Sequence, residues 1–504
     1  MPRRQTTAGA EDPGARIDGG AQRIQRRQVR GSALLVLGRV LALLLSTATQ
    51  VVLVRYLSKD DFGAFAYALS FSLLVATIPH WGLSSLLVKE GSADRRRLPR
   101  LLADTLVWRV LLATPVLVLT VAVATALRPD RRSALVLVIV AAAAMLDELL
   151  VDTGRSVGDA LQDQRWMSQT LVLERLCQAI FGIAALIAGL GLVGLAAGYL
   201  VGTTIGGLAA LRGLRKLGVP IQLAAVRRAS LLRTFHRSVA YGIGAVLAMG
   251  LFRVDQVMIS LIKGDHVLGP YAAAYRLIET VMFISWAAAR AVFPAMSASS
   301  ESWRVLRGLE QAIAGVAVIY VPFALGLWLE AEPVVDRLYG DGYAAAVPAI
   351  RWLAVTPLLF AIGFVGMHAM VARGGQWVVV TATAVALAVD VGGNLILIPR
   401  LAGTGAAIDT LVSYAVLAAI YLVVLRRQVG WVRLHVALAL PVAAAMPMVA
   451  TIVLLHLDLL LEVQLGAVVY GLTWLLLARR AAPEQIGMLV SVLRRGGSGA
   501  GGRR

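Results

Sequence analysis

Apolar residues occupy this chain in long unbroken blocks rather than in alternation with polar ones. Fourteen such blocks follow one another, at 31–54, 63–88, 101–127, 133–151, 168–190, 193–211, 238–262, 268–297, 308–331, 346–371, 376–398, 403–425, 434–457 and 461–478. A helix needs about 20 apolar residues to cross the hydrocarbon core of a bilayer. Inside that core every backbone N–H and C=O must find its partner within the protein, which leaves helices or closed barrels. Blocks of this length predict helices. The expected fold is therefore all-α: a polytopic membrane protein of about 14 transmembrane helices. The blocks at 133–151 and 461–478 are short for a crossing.

Composition agrees. Hydrophobic residues make up 59% of the 504 and charged residues 15%, where a soluble chain carries about 25% charged. Mean hydropathy is +0.77. The one cysteine, Cys177, lies inside an apolar block, so no intramolecular disulfide can form. A net charge of +19 would suit nucleic acid, but its placement points to topology instead. Of the 48 Lys and Arg, 33 fall on the side holding both termini and 8 on the other. By the positive-inside rule both termini are cytoplasmic, and the excess charge meets anionic lipid headgroups. No nucleic-acid partner is expected; membrane lipids are. Residues 1–30 are polar and arginine-rich and lack a small-residue cleavage site before Gly31. They read as a disordered cytoplasmic tail before an uncleaved first helix. The Gly-rich end at 495–504 reads likewise.

The first twelve blocks repeat. Gly63, Phe65, Ala66 and Ala68 after the first block align with Gly269, Tyr271, Ala272 and Ala274 after the seventh, at an offset of 206. Leu186, Ile187, Leu190, Gly194, Ala196, Leu200 and Val201 align with Leu397, Ile398, Leu401, Gly405, Ala407, Leu411 and Val412, at an offset of 211. Six crossings separate the copies, so the repeat is parallel and its axis runs along the membrane normal. Two such halves commonly place a transport site at their interface. The expected organisation is a tail at 1–30, a six-helix bundle at 31–211, a basic linker at 212–237, a second bundle at 238–427, two further helices at 428–480 and a cytoplasmic tail at 481–504. Within the linker, residues 223–233 have the pattern of an amphipathic surface helix.

Several segments resemble one family. They are Arg55-Tyr-Leu-Ser-Lys-Asp-Asp-Phe-Gly-Ala-Phe, Arg253-Val-Asp-Gln-Val-Met-Ile-Ser, Gly269-Pro-Tyr-Ala-Ala-Ala-Tyr-Arg-Leu, Phe293-Pro-Ala-Met, Leu338-Tyr-Gly-Asp-Gly-Tyr and Asn394-Leu-Ile-Leu-Ile-Pro-Arg-Leu-Ala-Gly-Thr-Gly-Ala-Ala. Together, over about residues 31–478, the chain resembles the polysaccharide flippases of the multidrug/oligosaccharidyl-lipid/polysaccharide exporter superfamily. The resemblance implies two six-helix bundles around a central cleft that opens alternately to each side. It also implies export of an undecaprenyl-diphosphate-linked sugar across the plasma membrane, with glycosyltransferases and a polymerase of a polysaccharide pathway as partners. The motifs mark the fold and subfamily rather than the substrate. A drug/cation antiporter of the same superfamily and a lipid-II-type peptidoglycan precursor flippase are the alternatives.

Charged residues inside the blocks are the candidate site, because a buried charge in a membrane is costly and normally faces a cavity or a partner. Arg39 and Arg109 each stand eight residues from the cytoplasmic start of a block, and Arg290 seven from the cytoplasmic end of another, roughly 10–12 Å deep at 1.5 Å per residue. Arg253 and Arg276 lie a similar distance from the opposite face, beside Asp255 and Glu279. These five arginines are the candidate binders of a diphosphate, which the planar guanidinium fork grips with two hydrogen bonds. The competing reading makes them interhelical ties to Glu174, Glu279, Asp255 or Asp147. Asp255, Glu279, Asp390 and Asp409 are candidates for a coupling proton or sodium ion.

Other signals carry less. Gly189-Leu-Gly-Leu-Val-Gly194 matches a dinucleotide fingerprint, but it joins two apolar blocks with no strand before it. Gly198, Gly202 and Gly206 are spaced by four, as on a helix-packing face. The six histidines have no metal-ligand spacing, and neither metal nor cofactor is expected. Lys59-Asp60-Asp61 sits in an outer loop too short for an enzyme's acceptor site, so no enzyme activity is expected.

Overall fold

The computed structural model describes residues 38, 41–128, 130–298, 301–455 and 457–481. Among the described residues every regular element is helical. Arg39 and the tails at 1–30 and 482–504 lie outside the described residues.

Among the described residues twelve helices are long and apolar enough to cross a membrane, and a shorter apolar helix, α1, covers Leu41–Tyr56. The longest, α15 (Gln376–Gln428), turns back on itself at Ala402, whose φ is 53°. It therefore holds two of the expected blocks, the 376–398 and 403–425 pair. In sequence order the rest are α2 (Lys59–His80), α3 (Leu83–Ala93), α4 (Leu98–Leu127), α5 (Arg131–Leu146), α6 (Thr153–Leu161), α7 (Gln164–Ile187), α8 (Gly191–Lys216), α9 (Arg228–Lys263), α10 (Asp265–Ala298), α11 (Ser302–Leu329), α12 (Ala331–Tyr339), α13 (Ala346–Leu353), α14 (Thr356–Ala372), α16 (Leu434–Leu455) and α17 (Leu459–Ala481).

Local chemistry sets the ends and breaks. The Ser58 side chain accepts from the Asp61 N–H at 3.1 Å, and Asp60 and Asp61 occupy the first turn of α2, where carboxylates offset the positive helix end. Both devices fix where that helix starts. The expected 63–88 block is not one helix. Trp81 and Gly82 are left-handed, with φ of 39° and 65°, so α2 ends and α3 restarts at a new angle. The 133–151 block is longer than expected. After α5 a π-helical turn, Asp147–Asp152, leads into α6, and the crossing runs Arg131–Leu161. The expected amphipathic helix at 223–233 is not a separate element. Leu223–Ala225 is one 3-10 turn, and Arg228 onward is already α9.

The repeat is visible as reciprocal packing. Lys59 and Asp265 open α2 and α10 and share the 206 offset, as do Gly63 and Gly269. A Cβ on Gly63 would lie 1.9 Å from the Asp265 carbonyl oxygen, and one on Gly269 would lie 2.5 Å from that of Lys59. Each half thus notches the first residue of the other half's helix. With no water to exclude from between helices, close backbone approach at small residues is what holds membrane helices together. The same logic joins α7 to α8. A Cβ on Gly198, Gly202 or Gly206 would come within 2.8 Å of Phe181, Gln178 or Glu174. The two helices after the repeat dock on α11 through Ala317, Val321, Ala444, Ala445, Met448, Tyr470 and Trp474, and the Tyr470 hydroxyl donates to the Val318 carbonyl at 2.7 Å.

The two halves meet at both ends. At the end expected to face outward, Arg128 pairs with Asp265 at 2.7 Å and lies 3.5 Å over the Tyr67 ring. At the other, Trp81 stacks on Phe235 at 5.4 Å, and Trp108 packs on the same ring and donates to the Leu231 carbonyl at 2.9 Å.

Candidate functional site: a cationic cavity between the halves

Between these two closures lies a cavity of about 370 Å³, lined by α1, α2, α7 and α8 from the first half and α9 and α10 from the second. Its ionisable lining is Arg175, Arg253, Arg276 and Glu279, a formal surplus of two positive charges. Polar neutral groups line it too, among them Ser46, Gln50, Ser70, Gln178, Tyr199 and Gln256.

The arginines are spoken for but not saturated. Glu279 bridges two of them, Oε1 to Arg253 Nη2 at 2.5 Å and Oε2 to Arg276 Nη1 at 3.0 Å. Arg276 also donates to the Ser46 hydroxyl, tying α10 to α1 across the cavity. Arg175 donates to Gln178 Oε1 at 2.8 Å. The Nε atoms of Arg253 and Arg276 are buried with no acceptor among the described residues. A guanidinium held by one carboxylate with a donor to spare is suited to take a phosphate oxygen as its second acceptor.

The structure thus brings together Arg253, Arg276 and Glu279 of the sequence candidates, and adds Arg175. Arg109 is elsewhere, 1% exposed and tied between helices. Its Nη2 meets Asp152 Oδ2 at 2.7 Å and the Ser84 hydroxyl at 2.5 Å, and its Nη1 donates to Thr153 Oγ1 at 2.6 Å and to the Glu148 carbonyl. His80, which closes α2, pairs with Glu148 at 2.9 Å in the same group. The donor atoms of His80, Glu148 and Asp152 lie within 4.8 Å of one another, and the Arg109 guanidinium is seated on the same two carboxylates as their cation. This is the interhelical-tie geometry, pinning α4 to the break after α2 and to the π-helical turn. Arg109→Ala is expected to take from Asp152 its buried guanidinium partner and to destabilise the protein by about 3–5 kcal/mol; a thermal unfolding scan reads this directly, and an unchanged midpoint would refute it. Arg290 lies on α10, but its side chain, like the whole of Arg39, lies outside the described residues.

The carboxylate candidates other than Glu279 gather in the second half, away from the cavity lining. Asp255 accepts from the Tyr271 hydroxyl and from the Gln256 N–H at 2.7 Å. Asp390 and Asp409 stand within electrostatic range of it, and Tyr271 also reaches Thr410 at 3.4 Å. Asp390 and Asp409 are 1% and 2% exposed. One oxygen of each, and both amide atoms of Asn394, have no partner among the described residues.

Fold and site together define a helical membrane protein of two halves with a cationic cavity between them and a contact between the halves at each end. Comparison with known proteins narrows the class. A family model described as polysaccharide biosynthesis protein matches residues 28–300, and one described as lipid II flippase MurJ matches 167–477; each spans more than half of the chain. The chain belongs to the polysaccharide biosynthesis family, within the multidrug/oligosaccharidyl-lipid/polysaccharide exporter superfamily. Over 208 residues it is 22% identical to the probable low-salt glycan biosynthesis flippase Agl15 of Haloferax volcanii, a stretch that is 40% of this chain and 43% of that relative. The match thus spans less than half of the relative's length. The fold is similar to that of lipid II flippase MurJ in an inward-closed conformation, with a TM-score of 0.75 at 13% identity over 89% of this chain and 99% of that one. It is also similar to a multidrug resistance MATE family transporter in its inward-facing conformation, at 0.66 and 17% over 77% and 94%.

Proposed function

We propose that the protein flips an undecaprenyl-diphosphate-linked oligosaccharide from the cytoplasmic to the outer leaflet of the plasma membrane, with both its termini cytoplasmic. The observation that carries this reading is the cavity's charge: three arginines and one carboxylate on both halves of a two-fold arrangement. The diphosphate, esterified at both ends, carries two negative charges and matches the surplus. In this reading the phosphates displace Glu279 from Arg253 and Arg276, Arg175 approaches from the first half, and the sugar lies among the amide and hydroxyl groups. The lipid tail stays in the bilayer. Rocking of the halves opens the Trp81–Phe235 closure and the Arg128–Asp265 closure in turn. Glycosyltransferases that build the lipid-linked sugar and a polymerase that consumes it are the implied partners.

A drug/cation antiporter on the same fold would need an anionic cavity, opposite to the one here. Calorimetric titration of the purified protein separates the two. Binding of a short-chain polyprenyl diphospho-sugar, with no binding of a lipophilic organic cation, is expected. The reverse outcome would favour the antiporter.

We further propose that Asp255, Asp390 and Asp409, with Asn394 and Thr410, take a proton or a sodium ion that couples to the movement. Three buried carboxylates sharing one region cannot all remain charged without a cation. A ligand that binds only the folded state raises its stability. Sodium addition or mild acidification is therefore expected to raise the unfolding temperature of the wild type and to leave Asp390→Asn unmoved. An equal response from both proteins would exclude Asp390 from the site.

A further inference from the structure

The end of the molecule closed by Trp81 and Phe235 carries a band of cations that neither the cavity nor the proposed cation site uses. Two helix starts meet there, α4 from the first half and α9 from the second. Asp104 on α4 accepts from the Ser230 hydroxyl at 2.5 Å and from the Thr234 hydroxyl at 3.2 Å. One turn further along α4, Trp108 donates to the Leu231 carbonyl at 2.9 Å. Arg237 of α9 pairs with Glu90 of α3 at 2.9 Å, and the 3-10 turn Leu223–Ala225 packs on α4.

Residues three or four apart share a helix face. Arg100 therefore extends the Asp104 face of α4 by one turn, and Arg227 extends the Ser230 face of α9. Arg95 and Arg96 sit in the turn Arg95–Arg97 that leads into α4, and Arg228 opens α9. All of these arginines are exposed. Among the described residues none of them makes an ion pair. The acidic side chains of the seam are engaged elsewhere: Glu90 with Arg237, Asp94 with Arg97 at 3.1 Å, and Asp104 with the two hydroxyls.

The positive-inside rule asks only for cations on one side of the membrane. It does not ask for two sets of them on opposite lips of a seam between the halves. Like charges drawn together there repel, which opposes closure. An anion lying between the lips reverses the sign. The neighbouring residues say which anion. Ile221, Leu223 and Leu232 flank Arg227 and Arg228 in sequence, and all three are exposed. Arginines interleaved with exposed aliphatic side chains suit the interface of a bilayer rather than an acidic protein surface. We propose that anionic phospholipid headgroups bind across this seam, bridging the α4 and α9 arginines and holding the halves together at the Trp81–Phe235 end.

A ligand shifts two states only by its preference for one of them. Here the preference is geometric, because both lips reach the same headgroups only when the seam is closed. The site rests on the proposed rocking of the halves, but not on the proposed substrate.

Spin labels at Ala93→Cys and Ala229→Cys, one on each lip and both at exposed positions, report the seam as a distance in a Cys177→Ser background. The full chain is placed in nanodiscs of phosphatidylcholine, alone or mixed equally with phosphatidylglycerol. Phosphatidylglycerol is expected to raise the closed-to-open ratio by roughly five- to tenfold, the effect of one further cation–headgroup contact in the closed state. Removing either lip, by Arg95→Gln, Arg96→Gln and Arg100→Gln together or by Arg227→Gln with Arg228→Gln, should abolish that response. Each variant covers for the other should one fail to fold. In phosphatidylcholine alone both variants should close more readily than the wild type, since the repulsion is gone. Two distances in the same proportion in both membranes would overturn the site, and so would a lipid response that survives in both variants. Closure by a polyprenyl diphosphate in phosphatidylcholine, with no response to phosphatidylglycerol, would overturn it in favour of a substrate-docking seam. A single distance under every condition would overturn the rocking and the site together.

Discussion

Replacing Arg253 or Arg276 by alanine is expected to weaken diphospho-sugar binding by about 10- to 150-fold each, the equivalent of about 1.5–3 kcal/mol for a hydrogen bond to a charged group. Replacing both should abolish measurable binding. Glu279 would then face only Arg175 among the cavity's ionisable groups, and the surplus positive charge would be gone. The carboxylate gives the prediction its internal contrast. Glu279 holds both guanidiniums at 2.5 and 3.0 Å and so competes with the phosphates. Glu279→Gln should therefore tighten binding several-fold. If the arginines were only ties between α9 and α10, the three variants would instead lose stability together and leave the affinity of the folded fraction unchanged. Calorimetric titration beside a thermal scan distinguishes these outcomes.

Replacing Gly63 by valine is expected to abolish transport and to destabilise the protein by about 3 kcal/mol or more, the upper end for overpacking a tight contact. The obstacle is backbone. The new Cβ would lie 1.9 Å from the Asp265 carbonyl oxygen and 2.7 Å from its carbon, and neither can rotate away. The first turns of α2 and α10 would be held apart, and Arg128 could not keep Asp265 at 2.7 Å. Gly269→Val, its symmetric counterpart, should behave alike. Gly326→Val supplies the control, because its Cβ would meet nothing within 4 Å. Normal transport by Gly63→Val would mean that the end holding Arg128 and Asp265 need not close in this way.

Much of the fold was readable from the blocks alone, because a membrane leaves the backbone few options. The repeat offset of 206 found its physical meaning in Gly63 and Gly269, which are glycines because each faces the other half's backbone. Helix breaks were harder. Nothing in the apolar block at 63–88 marks Trp81 as left-handed; the break is set by tertiary contact, since a Cβ on Gly82 would strike Tyr241 and Gly242 of α9 at 2.4 and 2.6 Å. The site was legible only in part. Depth along a span follows from counting residues, but the direction a side chain faces does not. Arg109 and Arg253 therefore looked equivalent in sequence, yet one is locked against Asp152 and the other opens on the cavity. Arg175, inside the 168–190 block, was not among the sequence candidates. It and its neighbour Glu174 face different ways: Arg175 lines the cavity, while Glu174 packs against Gly206 of α8.

Translocation in proteoliposomes tests the central claim most directly. A fluorescent short-chain polyprenyl diphospho-sugar is placed in one leaflet, and its arrival in the other is read by an impermeant quencher or lectin. The account predicts protein-dependent movement in the wild type, lost in the Arg253→Ala, Arg276→Ala double variant while that variant stays folded. Movement that survives the loss of both arginines, or no movement in folded wild type, would contradict it.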